Sequence, residues 1–113
     1  MEIWKIAKDN KLKENRYLVS NYGRLKDTKT GFIFISRSNI HKGYIQLSLF
    51  CKDNKKRRFL LHRIVAQTFL KNPNNFPIIN HIDEDRQNNK IDNLEWCSQK
   101  HNMLCWAANH YKK

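Results

Sequence analysis

NHIDEDRQNNKIDNLEWCSQKHN, residues 80–102, is the stretch on which the reading of this chain turns. Just before and within it, Ile78–His81 has the composition of a short strand, and Leu94–Cys97 that of a second one. Between them HIDEDRQNNKID is a polar loop, and Ser98 is placed to cap a terminal helix running to about Asn109. The order is therefore strand, long loop, strand, helix. A polar loop of this length inside a small domain is as a rule functional or floppy. This one is filled with Asp and Asn and bounded by His81 and Asn93, residue types that bind cations and close loops.

Spacing gives each of these residues a plausible job. Asn93 follows His81 by 12 positions, Asn102 follows Asn93 by 9, and Asn80 directly precedes His81. A residue at the end of the first strand and one in the first turns of the final helix can face each other across a ββα hairpin. Adjacent strand residues point to opposite faces, so Asn80 and His81 share a site only if the strand ends there in a twist. Hydrolysis of a phosphodiester needs a water deprotonated near neutral pH, a task suited to imidazole with its ordinary pKa near ~6.5. It also needs charge stabilised on the phosphate and the leaving oxygen, which suits a hard divalent cation held by oxygen ligands. The carboxamide oxygens of Asn80 and Asn102 could supply two of those ligands.

Upstream, short runs of β-branched and aromatic residues alternate with turn signals, the pattern of small antiparallel strands. The expected strands are Tyr17–Ser20, Gly31–Ile35, Tyr44–Phe50 and Arg57–Leu61, with Gly23 turning the chain in SNYGRLKD and Asp53-Asn54 at a polar hairpin tip. Leu61, Ile64, Val65 and Phe69 recur at helical spacing and predict a helix over Leu61–Leu70. It ends at KNPNNFP, residues 71–77, which reads as a joint. The fold class is α+β: a small N-terminal antiparallel sheet with one helix over residues 1–72, then a ββα unit over 73–113, packed as one compact body.

Charge sharpens the division. The chain of 113 residues carries a formal net charge of +12, and residues 1–72 hold 17 Lys/Arg against 5 Asp/Glu, whereas 73–113 hold 5 of each. A polyanion partner fits a basic surface, because cations that neutralise phosphates release condensed counterions. The alternative is a merely solubilising surface. No apolar run is long enough to span a membrane, and MEIWKIAKDNKLKENRY is too charged for a signal peptide, so a cytoplasmic protein is expected, in the host cell if viral. Cys51, Cys97 and Cys105 are odd in number and lack paired spacing, which argues for reduced thiols and against a disulfide framework or structural zinc.

At this point the stretch INHIDEDRQNNKIDNLEWCSQKHN resembles the HNH endonuclease motif, a ββα-metal fold, most closely the versions in phage and intron homing endonucleases. The order and spacing of His81, Asn93 and Asn102 carry the resemblance, together with the apolar positions Ile82, Ile91, Leu94 and Trp96. EIWKIA, RYLVSNYGRLKD, KGYIQLSLF and LLHRIVAQTFL resemble the nuclease-associated DNA-binding module that often precedes such a motif. The resemblance implies a DNA endonuclease leaving a 3′-hydroxyl and a 5′-phosphate. In it His81 activates the water, Asn93 fastens the loop that orients His81, and Asn80 and Asn102 hold one divalent metal. Mg²⁺ is the expected ion, with Mn²⁺ as a substitute. Asn80 departs from the acidic residue that some relatives have there, so substrate phosphates are expected to complete the metal site. Asp83 and Asp85 read as loop caps in preference to compensating charges.

For phosphate contacts the sequence offers Arg24, Arg37, Lys42, Lys55, Lys56, Arg57, Arg58 and Arg63. Arg86 has two readings of equal weight: steadying the scissile phosphate, or pairing with Asp83 and Asp85. His62 reads as a packing or backbone-anchoring residue, His41, His101 and His110 as surface residues, and Trp4, Trp96 and Trp106 as core aromatics. The partner is DNA, double-stranded, with affinity falling by about 0.9 log unit per tenfold salt for each phosphate contacted. Little surface remains for base readout, so specificity is expected to be relaxed or borrowed from a homodimer or a larger protein partner. The rival function is a DNA-binding protein from a decayed mobile element that cleaves nothing. An RNA-binding factor fits less well, because exposed aromatics for stacking single-stranded bases are lacking.

Overall fold

The computed structural model describes residues 1–34, 40–41 and 43–98. Trp4–Ile6 (β1), Tyr17–Ser20 (β2) and Leu25–Asp27 (β3) form an antiparallel sheet in that order. Ile40–His41 (β4), Tyr44–Phe50 (β5) and Lys56–Leu60 (β6) form a second, again antiparallel. The helix Leu61–Phe69 (α1) follows β6 without a break, and Ile78–His81 (β7) pairs antiparallel with Leu94–Cys97 (β8). The fold is α+β.

Alternation decides β5. Its residues Ile45, Leu47 and Leu49 are all buried, while Gln46 and Ser48 face the other side. Helix α1 lays Leu61, Ile64, Val65 and Ala66 onto the same core. Val19 and Leu25 from the first sheet join it, and so do Ile79 and Leu94 from the β7–β8 pair. Each such Leu, Ile or Val side chain contributes about 1.5–3 kcal/mol on burial. The core is thus continuous across Pro73, with the two basic sheets and the β7–β8 unit packed around one helix. Phe50 N–H donates to the Tyr17 hydroxyl at 2.8 Å, tying the first sheet to β5.

Several expectations are corrected in detail. Of the strand expected at Gly31–Ile35, Ile35 lies outside the described residues, and residues 31–34 form no strand: Gly31 turns with φ +76, and among these four only Ile33 makes an isolated bridge, to Lys26. The strand expected at Arg57–Leu61 begins one residue earlier and hands Leu61 to the helix. Strands β1 and β3 were not expected. The terminal helix predicted from Ser98 lies outside the described residues beyond Ser98 itself.

The SNYG turn positions the later loop. Ser20 Oγ accepts from the N–H groups of Tyr22 and Arg24, at 3.2 and 3.1 Å, and Gly23 takes φ +81. The Asn21 carbonyl then accepts Ile91 N–H at 3.0 Å. A Cβ on Gly23 would stand 2.6 Å from the Asn89 carbonyl oxygen. Gly23→Ala therefore combines a left-handed backbone with a main-chain clash, and is expected to lose about 2–4 kcal/mol of stability. Thermal melting checks this; an unchanged midpoint would mean that the turn and the loop do not press on each other.

Candidate active site

His81 is the last residue of β7, and the chain turns immediately after it, with Glu84 N–H donating to the His81 carbonyl at 2.9 Å. Its side chain is buried at 6% exposure. Ring atom Nε2 lies 2.8 Å from Asn89 Oδ1. The ring is packed edge-on against His62 at 5.0 Å between centroids and tilted against Tyr44 at 5.9 Å. Arg86 lays its guanidinium over the Tyr44 ring at 4.8 Å, so a cation shares an aromatic neighbour with His81.

Asn93 sits in a single 3₁₀ turn, Ile91–Asn93, and ties the loop to β8. Its Oδ1 accepts Asp83 N–H at 3.0 Å, and its Nδ2 donates to Asp83 Oδ1 at 2.9 Å and to the Asn88 carbonyl at 2.8 Å. Its own carbonyl accepts Ile82 N–H at 2.9 Å. Asp83 and Asp85 act inside the loop: they accept Asp85 N–H at 2.8 Å and Gln87 N–H at 3.0 Å. Hydrogen bonds from Asn88, the Asp85 N–H and Asn93 hold the Asp83 carboxyl below its usual range.

Asn80 lies one residue back in β7, directly across from Glu95, where the strand ends and the chain turns after His81. Its Nδ2 donates to Glu95 Oε1 at 2.9 Å, leaving the carboxamide oxygen as its remaining donor atom for a cation. That oxygen and the neighbouring carboxylate are hard ligands, the type Mg²⁺ takes, so the chemistry present fits such an ion. Among the described residues no three His, Cys, Asp or Glu side chains cluster as a metal site, and Asn102 lies outside them.

His62 is buried and its Nδ1 has no hydrogen-bond partner among the described residues, so there it packs but does not anchor backbone through that atom. Burial lowers its pKa to about 4, helped by the charges of His81 and Arg63. The unfolded chain takes up this proton at the ordinary value, near ~6.5, and the folded one only near 4. The neutral ring's contribution is therefore fully present above about 6.5 and is lost as pH falls toward 4, a loss of up to ~3 kcal/mol. Urea melts from pH 7 to pH 4.5 are expected to show this fall in the wild type and a shallower one in His62→Phe. Parallel profiles would refute it.

The predicted phosphate contacts divide. Lys55, Lys56, Arg57 and Arg58 are exposed on the β5–β6 hairpin, but Arg57 is paired with Asp53 at 2.9 and 2.6 Å and Lys56 lies 4.9 Å over Phe50. Arg24 is held by Glu2 through both guanidinium contacts and stacks over Trp4 at 5.4 Å. Arg63 donates to the Pro77 carbonyl at 3.3 Å and lies over Trp96. Arg37 and Lys42 are outside the described residues, as are Cys105, Trp106, His101 and His110. Cys51 and Cys97 are buried, and neither is in a disulfide among the described residues. Three residues of the site were not anticipated: Asn89, Tyr44 and Glu95.

The described site is thus a β-hairpin whose first strand ends in a buried histidine and whose loop is tied by an asparagine. Residues 59–104 match the family model for HNH endonucleases. The chain is 39% identical over 110 residues to an uncharacterized HNH endonuclease of Acanthamoeba polyphaga mimivirus, covering 90% of this chain and 33% of that protein. It is 36% identical over 97 residues to the DNA endonuclease I-HmuI of Bacillus phage SP01, covering 85% of this chain and 54% of that one. The fold is shared with a solved structure described as DNA binding and cleavage by the HNH homing endonuclease I-HmuI. The TM-score is 0.81 at 29% identity, over 98% of this chain and 61% of that chain. The chain thus spans about a third of the mimiviral relative and about half of the phage enzyme.

Proposed function

We propose that this chain is a metal-dependent DNA endonuclease in which His81 is the general base. The observation that carries the reading is the setting of His81: buried at the end of β7, gripped by Asn89, and flanked by a loop that Asn93 ties shut. A base held this firmly can take a proton from a water placed in line with a phosphorus atom without first reorganising. Asn93 keeps the loop, and hence the ring, in place. Asn80 and Asn102 are the residues that would hold the cation, with the Glu95 carboxylate beside Asn80 adding the negative charge that two amides lack. A divalent ion there would neutralise charge on the scissile phosphate and the leaving oxygen.

DNA would be held chiefly by the basic part before Pro73. Lys55 and Arg58 are exposed on the β5–β6 hairpin, whereas Arg24 and Arg57 would have to exchange their carboxylate partners for phosphate. Arg86 is the cation best placed to reach a phosphate near His81, through their common neighbour Tyr44.

Supercoiled plasmid tests the proposal. The wild type is expected to nick it with Mg²⁺ or Mn²⁺, leaving 3′-hydroxyl and 5′-phosphate ends, and to stop when the ion is chelated. Plasmid that is shifted on a gel but stays supercoiled with metal present would refute the nuclease and leave a DNA-binding protein.

A further inference from the structure

Asn89 belongs to the polar loop yet is buried at 3% exposure, eight residues beyond His81. Its Oδ1 faces the ring Nε2 at 2.8 Å. An amide oxygen accepts hydrogen bonds and cannot donate one. The neutral imidazole in this contact therefore carries its hydrogen on Nε2, and the lone pair that can take a proton is on Nδ1.

Two further observations bear on why an asparagine stands here. Its Nδ2 is buried without a hydrogen-bond partner among the described residues. A buried donor left in that state is destabilising, so the amide is a poor choice for stability alone. It is also held against movement. The Asn89 carbonyl oxygen presses on Gly23, at the place where any side chain would begin, and Ile91 two residues on is bonded to Asn21. On its other flank the His81 ring meets the edge of His62, so it can neither slide nor flip without breaking a contact.

We infer that Asn89 is a positioning residue for His81, fixing the tautomer so that Nδ1 is the nitrogen offered to the attacking water. The first sheet takes part, since its SNYG turn is the seat against which Asn89 rests. This inference deepens the nuclease reading and rests on it for its catalytic meaning; the tautomer itself is a property of the free protein.

The test reads both. In ¹⁵N-histidine protein without metal or DNA, at a pH where the ring is neutral, long-range ¹H–¹⁵N spectra of His81 are expected to show the Nε2–H tautomer alone. Asn89→Asp keeps an acceptor and should keep that tautomer, whereas Asn89→Leu should give a mixture. Plasmid nicking should fall by about 10–100-fold in Asn89→Leu, and Asn89→Asp should recover most of it at a similar melting temperature. An Nδ1–H tautomer in the wild type overturns the inference, with no variant needed. So does an undiluted Nε2–H tautomer in Asn89→Leu, or an equal loss of nicking in both variants. If the wild type itself fails to nick, the nuclease reading falls, and the spectra still judge the contact between Asn89 and His81.

Discussion

His81→Ala is expected to lower plasmid nicking by about 10²–10⁴-fold, the usual share of a positioned general base, while DNA still shifts on a gel. The two readouts separate because the residues serve different steps. His81 is buried and lies among Tyr44, His62 and Asn89, so it contributes little surface to DNA binding. The exposed cations of the β5–β6 hairpin are elsewhere in the chain and remain intact. Removing a buried ring also leaves a void, and large-to-small changes of this kind cost about 2–5 kcal/mol. A melt of the variant is therefore needed beside the assay, and His81→Gln, which fills more of the space, should be equally inactive and more stable. If either variant nicks within about tenfold of wild type, His81 is not the base.

The strands that were legible in the sequence are those with an apolar face to announce them. β5 alternates over seven residues and α1 repeats its apolar positions at helical spacing, so both could be placed to within a residue. β1 and β3 are three residues each, WKI and LKD, too short to show any period. They exist because β2 offers an edge on either side. The reverse holds at Gly31–Ile35, where β-branched and aromatic residues suggest a strand but the left-handed Gly31 turns the chain.

The site divides along the same line. His81 and Asn93 were singled out as candidates by their spacing. Asn89 was not, because nothing separates it from Asn88 in a loop of polar residues. What distinguishes them is tertiary: Asn88 bonds to Asp83 within the loop, while Asn89 is buried with its backbone close against the turn at Gly23, far earlier in the chain. Glu95 likewise gains its meaning only from the register that sets it opposite Asn80. The basic residues show the limit of counting charge, since Arg24 and Arg57 are each already paired with a carboxylate.

Asn93→Ala should also cripple nicking, by about 10²-fold, but by a different route and with a different signature. The side chain removed holds Asp83 N–H, the Asp83 carboxylate and the Asn88 carbonyl at once. Each bond is worth about 0.5–1.5 kcal/mol net, so the loop should loosen at a cost of about 2–3 kcal/mol. Loosening is local, since the β7–β8 ladder and the core beneath it do not depend on that amide. Hydrogen exchange reads the difference: Asp83 N–H should lose protection while the amides of the β7–β8 ladder keep theirs. Asn93→Asp should not rescue, because its new carboxylate would face that of Asp83 in place of the donor now 2.9 Å away. His81→Ala, by contrast, removes the base and leaves the Asn93 bonds to Asp83 in place. If nicking falls while Asp83 stays protected, Asn93 acts on the reacting groups directly; if nicking and protection both persist, the loop needs no tie. Loss of both together would place Asn93 one step behind the chemistry, holding the loop that brings Asn89 to the His81 ring.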